Sequence, residues 1–283
     1  MEEKMKKSLL VVLMSVLLGA CGSGTSGTNL DLVDNGGSIN PPVEEPKPEE
    51  PILIDMVPNP DILAVDYIED KGLKDKVLNT KNRFLSRIFG AEFDAITLPE
   101  GVMTKEVNGN VVRMLNLPYS VLAWRQPSAY TEGEEFYDSK ELLSGIGEFT
   151  IKDNYPASKV TYRGYSANPN AVGMMRLDMD FASTTVSGKL YERKNKEGEE
   201  LPEIILKETS NYAEDAGVGA LLGETDYKPM GVDNNLKYVV TFAGPSADEA
   251  IGFVMDIGEM SNPPLIYEVF GGKRDLPSPP LDP

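Results

Sequence analysis

Met174-Met175-Arg176-Leu177-Asp178-Met179-Asp180-Phe181 decides the fold of this chain. Met175, Leu177, Met179 and Phe181 share one face; Met174, Arg176, Asp178 and Asp180 share the other. A period of two marks a strand with one face in a core and one toward water, the usual state of an antiparallel strand. Ala182 to Thr184 supplies a short turn into Val186-Ser187-Gly188-Lys189-Leu190-Tyr191, and Lys159 to Tyr165 reads as the strand before. Further strands are expected at Pro202 to Thr209, Tyr238 to Phe242, Ile251 to Ile257 and Leu265 to Phe270. A charged loop is expected from Glu192 to Glu200, and a turn at Gly244-Pro245. Short strands with Gly and Pro between them, and no intervening helices, predict a closed antiparallel barrel.

Upstream the pattern is mixed. Residues 61–89 carry Lys71, Lys74, Lys76, Lys81, Arg83 and Arg87 around a weakly helical set, Phe84, Leu85, Ile88 and Phe89. Asn79-Thr80 interrupts it, so helix and strand both stay open there. Ala95 to Leu98 and Val102 to Val107 read as strands, and Asn108-Gly109 is a hairpin signal into Val111 to Leu115. Asn116-Leu117-Pro118 breaks the run, and Tyr119 to Trp124 resumes it. Trp124, the one tryptophan, is either a core anchor or a partner-facing contact.

The two ends read differently. Lys4, Lys6 and Lys7 precede an apolar run, Leu9 to Leu18, too short to span a bilayer, and Leu18-Gly19-Ala20-Cys21 follows. This is the order of an export signal, and Leu-Gly-Ala-Cys is similar to a bacterial lipobox. Residues 1–20 are therefore expected to be a lipoprotein signal peptide and Cys21, the single cysteine, the lipidated residue. Residues 21–51 then form a tether, from Gly22 to Thr28 and on through Pro41 to Pro51. Its reach is on the order of 30 Å as a flexible coil. The final stretch, 274–283, is Pro-rich.

Composition excludes several chemistries. The chain of 283 residues carries a formal charge of -18, which argues against nucleic acid and against lying flat on anionic lipid. It has no histidine, so a Ser-His-Asp triad, a Cys-His pair and histidine-ligated zinc or haem are absent. The pairs Glu134-Glu135 and Glu199-Glu200 are sequence neighbours whose side chains diverge, unlike a general acid and base. Gly217-Val218-Gly219 lacks the third glycine of a dinucleotide loop and reads as strand or turn. No catalytic residue, metal ligand or cofactor is expected.

The order Tyr162-Arg163-Gly164, Asp180-Phe181-Ala182, Val186-Ser187-Gly188-Lys189 and Phe242-Ala243-Gly244-Pro245-Ser246-Ala247-Asp248-Glu249-Ala250-Ile251-Gly252 resembles the barrel domain of the transferrin-binding protein B and factor H-binding protein family. Leu30-Asp31-Leu32-Val33-Asp34 is similar to the segment after the lipid anchor in such proteins. The resemblance implies a mainly β chain, with an N-terminal antiparallel handle domain at 52–155 and a C-terminal eight-stranded antiparallel barrel at 156–273. It also implies an outer-membrane, cell-surface lipoprotein, moved outward by a translocator, that binds a host macromolecule such as a complement regulator or an iron- or haem-carrying protein. The alternatives are a lipoprotein that binds haem or another small nutrient, and a periplasm-facing structural lipoprotein. No family ligand residue matches here. Exposed loops are expected to carry the contacts, with candidates at Glu192 to Glu200, Tyr212 to Asp215, and the turn-rich segment Pro127 to Asp138 with Tyr130, Phe136 and Tyr137.

Overall fold

A computed structural model describes residues 52–53, 62–89, 94–107, 110–127, 143–168, 170–227, 236–256 and 265–275. The signal, Cys21, the tether, the turn Asn108-Gly109, and Tyr130, Phe136 and Tyr137 lie outside these residues. The elements run β1 (Ile52–Leu53), α1 (Lys71–Phe89), β2 (Gly101–Val107), β3 (Asn110–Asn116), β4 (Ser120–Pro127) and β5 (Leu143–Gly147). They continue as β6 (Lys159–Ala167), β7 (Ala171–Asp180), β8 (Thr185–Asn195), β9 (Ile204–Thr209), β10 (Tyr212–Asp215), β11 (Val218–Glu224), β12 (Lys237–Ala243), β13 (Glu249–Asp256) and β14 (Leu265–Arg274).

Strands β6 to β14 form one antiparallel sheet in the order β10-β11-β12-β13-β14-β6-β7-β8-β9. The alternating stretch is β7, with Met175, Leu177 and Met179 buried among Tyr162, Leu190, Tyr238, Phe242 and Phe270. The ends of the sheet meet. β9 pairs with β8 and β10 with β11, so Ile204 to Asp215 acts as one strand bent at Ser210. A Leu206↔Thr225 bridge and an Asp226 N–H donated to Ile205 O at 3.1 Å complete the closure. Counting the bent strand once, the mainly β architecture contains an eight-stranded antiparallel barrel. Gly164 is needed at its register partner Gly272, because a Cβ there would lie 2.2 Å from the Gly271 carbonyl oxygen.

The remaining strands form a five-stranded antiparallel sheet, β1-β2-β3-β4-β5, the handle. It is sandwiched. Val102, Leu115, Leu117 and Leu122 point at the barrel's outer face, where Tyr165, Val239, Ile251, Phe253 and Val269 meet them. Met103, Met114, Val121 and Ala123 point the other way, onto Phe84 and Leu85 of α1. The segment left open is thus a helix. Val77, Lys81, Phe84 and Leu85 make its buried stripe at helical spacing, and the Asp70 carboxylate caps it by accepting from Leu73 N–H at 2.6 Å. Asn79 lies on the exposed face, so the polar interruption meets water, not the sheet.

Three local expectations are corrected. Ala95 to Thr97 is a 3-10 turn, not a strand, because Asp94 accepts from Ile96 N–H at 3.1 Å and starts a turn that the β-branched residues then follow. The loop expected at Glu192 to Glu200 is strand as far as Asn195. A bulge opposite Gly173, with Glu192 at φ 50, absorbs an extra residue and keeps the ladder going. Tyr212 to Asp215 is strand β10, joined to β11 by a two-residue turn, Ala216-Gly217, with φ of 51 and 82.

Candidate binding surfaces

The registers sort the hairpin connections of barrel and handle to two ends. At one end lie the turns at Ala182 to Thr184, Ala216-Gly217, Gly244 to Asp248 and the β3–β4 connection Leu117 to Tyr119. At the other lie the β6–β7 turn around Asn168 and the β8–β9 connection after Asn195. The strand ends Glu224 and Lys237, Asp256 and Leu265, Val107 and Asn110, and Pro127 and Leu143 join them there. Arg113 locks the handle into this alignment. It is buried on β3, with Nη1 donating to Asn168 O and Ala171 O and Nε to Thr104 Oγ1 at 3.0 Å.

Of the three candidate segments, Glu192 to Glu200 lies at this loop end, and so does Pro127, where the Pro127 to Asp138 segment starts. Residues 128–142 fall outside the described ones, and β10 sits at the opposite end. Trp124 pairs through its backbone with Arg113 and Leu143; its side chain is among those not described.

Near this end the barrel interior holds a buried ion pair. The bulge at Glu192 turns Arg193 inward, where its Nη2 meets Glu268 Oε2 at 2.5 Å and its Nε lies 3.1 Å from both carboxylate oxygens. Arg193 is 3% exposed and Glu268 1%. The Nη1 atom donates to Pro202 O at 2.7 Å, and the guanidinium carbon is 5.6 Å from the Tyr227 ring centroid. A forked, desolvated pair of this kind is geometrically rigid. It ties β8 to β14 across the barrel interior beside this end. The exposed rim at this point is Lys194, Lys196, Glu197, Glu199 and Glu200. The Asn195 side chain orders the hairpin by donating to Glu199 Oε2 and accepting from Glu199 N–H, both at 2.8 Å.

A second surface lies between handle and barrel. Ile62, Tyr67 and Glu100 face Arg163, Tyr165, Met174 and Lys273 across a groove of about 420 Å³. Tyr67 is 45% exposed, and Lys273 Nζ sits 3.4 Å from its ring centroid and 2.6 Å from Glu100. The groove's cations are matched: Arg163 by Asp275 and Arg274 by Asp248, beside the Lys273–Glu100 pair. Sequence reading missed this groove, since its walls come from segments far apart in the chain and none carries a local signal.

The Phe242 to Gly252 motif sits at the opposite end and works as joinery. Gly244 N–H donates to Glu148 O at 2.8 Å, Thr150 Oγ1 donates to Gly244 O, and Tyr162 Oη donates to Ala247 O at 2.7 Å. The turn stitches the handle-to-barrel crossing onto the barrel. Among the described residues no helix is long and apolar enough to cross a membrane, and no group of three or more acidic or sulfur ligands could hold a metal ion.

No protein-family model and no curated protein matches the chain. Solved structures similar in fold include transferrin-binding protein B from Haemophilus parasuis, at 20% identity and a TM-score of 0.39 over 63% of this chain and 37% of that one. The isotype 1 transferrin-binding protein B of Neisseria meningitidis is 16% identical, with a TM-score of 0.39 over 65% of this chain and 38% of that one. A further surface lipoprotein is 14% identical, with a TM-score of 0.35 over 62% of this chain and 81% of that one. The chain spans under two fifths of the transferrin-binding protein B structures it matches.

Proposed function

We propose that this chain is an exported lipoprotein, anchored through Cys21 and displayed by its tether on the outer-membrane surface, that binds a host macromolecule through the loop end. The observation that carries this reading is that the strand ends flanking the long connections after Pro127, Glu224 and Asp256 gather at one end with the charged β8–β9 hairpin, beside the buried Arg193–Glu268 pair. Loops on a rigid scaffold are where recognition is usually built. The excess of acidic residues favours a partner with a basic face. The transferrin-binding proteins among its fold neighbours agree with a protein ligand, and the reading is of a binding protein rather than an enzyme. Export to the surface through a translocator belongs to the same proposal, as does the division into a handle at 52–155 and a barrel at 156–273.

Intact cells displaying the chain test it. External protease should digest the protein, a specific serum protein should be captured, and Cys21→Ser should release the chain from the membrane. Protection from external protease would favour a periplasm-facing role instead. A second reading, a small-nutrient carrier, rests on the groove beside Tyr67 and Met174. Haemin mixed with the purified chain would then give a Soret band that Tyr67→Ala removes.

A further inference from the structure

The β3–β4 turn is gripped from two sides. From α1, the buried Lys81 Nζ donates to Asn116 Oδ1 at 2.9 Å and to Leu117 O. From β13 of the barrel, the carboxylate of Glu249, 0% exposed, accepts from Tyr119 N–H and Ser120 Oγ, both at 2.7 Å. Asn116 Nδ2 holds the turn in register by donating to Pro99 O at 2.9 Å. The two buried charges therefore do not spend their hydrogen bonds on each other. They grip successive atoms of one turn, and each bears a desolvation cost that the opposite charge only partly offsets.

We propose that Glu249, Lys81 and the β3–β4 turn form a proton-linked clasp, which fastens the handle to the barrel more tightly in mild acid than near neutrality. The geometry allows it. As a neutral acid Glu249 keeps both contacts: its carbonyl oxygen accepts from Tyr119 N–H, and its O–H donates to Ser120 Oγ, which can accept. Protonation thus removes a buried charge without undoing the grip. Glu100, ahead of β2, acts on both Glu249 and Lys81; Asp248, Glu69 and Arg274 act on the side chain of Tyr119 in the turn, and Lys273 of β14 lies nearby. Lys273 stands opposite Glu249 in register but gives its ammonium to Glu100.

Burial pushes the Glu249 carboxyl up from 4.5 to about 7, against the pull of Lys81 and the two donors. Burial pushes Lys81 down from 10.5 to about 8, against the pull of Glu249 and Glu100. Between about 4.5 and 7 the fastened form holds a proton on Glu249 that a solvated carboxylate has lost, so the clasp weakens as pH rises through that window. Between about 8 and 10.5 the fastened form has lost a proton from Lys81 that a free lysine keeps, so the clasp strengthens again. Its contribution is lowest between pH 7 and 8, where both buried groups are charged.

Carboxyl-carbon NMR on the full chain labelled in glutamate side chains tests this directly. One resonance, absent from Glu249→Gln, should titrate near 7, not near 4.5. In parallel, the unfolding midpoint of the wild type relative to Glu249→Gln should rise as pH falls from 7.5 to 5.5. A Glu249 titration at the ordinary carboxylate value, or a pH-independent difference between the two proteins, overturns the proposal. Should Glu249→Gln fail to fold, sequential assignment of Glu249 in the wild type gives the same titration.

Discussion

Strand β7 of the barrel and strands β2 to β4 of the handle bury their residues in different ways, and the difference explains why the first shows a clean period of two and the others do not. On β7 the buried residues alternate with Arg176, Asp178 and Asp180, because one face packs inward and much of the other meets water. On β2, β3 and β4 neighbours are both buried: Val102 beside Met103, Met114 beside Leu115, Val121 beside Leu122. One of each pair meets the barrel and the other meets α1. A sheet covered on both faces loses its period of two. Its strands were legible from their breaks, Asn108-Gly109 and Asn116-Leu117-Pro118, and from β-branched content, not from alternation.

That comparison can be broken at several points. The largest effect is expected at the barrel mouth, where Arg193→Ala leaves Glu268 buried without its cation. The loss should be about 3–5 kcal/mol in urea unfolding, while Arg193→Met with Glu268→Leu should recover most of it. Next come the paired neighbours of the handle. Met114→Ala and Leu115→Ala should each cost about 2–4 kcal/mol, whereas on β7 Met179→Ala should be comparably costly and Asp178→Ala within about 0.5 kcal/mol. Equal costs at adjacent handle positions and unequal ones on β7 would be the mark of two-sided against one-sided burial. Removing the helix cap with Asp70→Ala should cost about 1 kcal/mol and lower helicity by circular dichroism. At the small end, Lys76→Ala opens the exposed pair with Glu148 and should shift stability by no more than about 0.5 kcal/mol.

Much of the barrel was legible because its signals are local. Alternation set β7, Val186 to Tyr191 continued as β8, and Gly244-Pro245 marked a turn that the structure places at Gly244, φ 89. The bulge at Glu192 was not legible, since it answers to Gly173 and Glu268 on other strands. Helix α1 was obscured by Asn79-Thr80 and by Lys81, a cation that reads as solvent-facing yet is 1% exposed, its ammonium spent on Asn116 and Leu117. Asp94 overrode the strand preference of Ala95 to Leu98 by capping a turn. The surfaces were the least readable. Glu192 to Glu200 was singled out for charge alone and does lie at the loop end, whereas Tyr212 to Asp215 was taken for a loop and is a paired strand at the far end. Nothing local in the sequence states which end of a barrel a connection occupies; pairing order does.

The most direct test of the binding account compares the two ends on one displayed protein. Lys196, Glu197, Glu199 and Glu200 are replaced together by Ser at the loop end, and Glu214 and Asp215 by Ser at the far end. The account predicts that the first set lowers capture of the serum ligand at least tenfold while the second leaves it unchanged, with both proteins equally resistant to urea. Capture lost with the far-end set and kept with the loop-end set would contradict it.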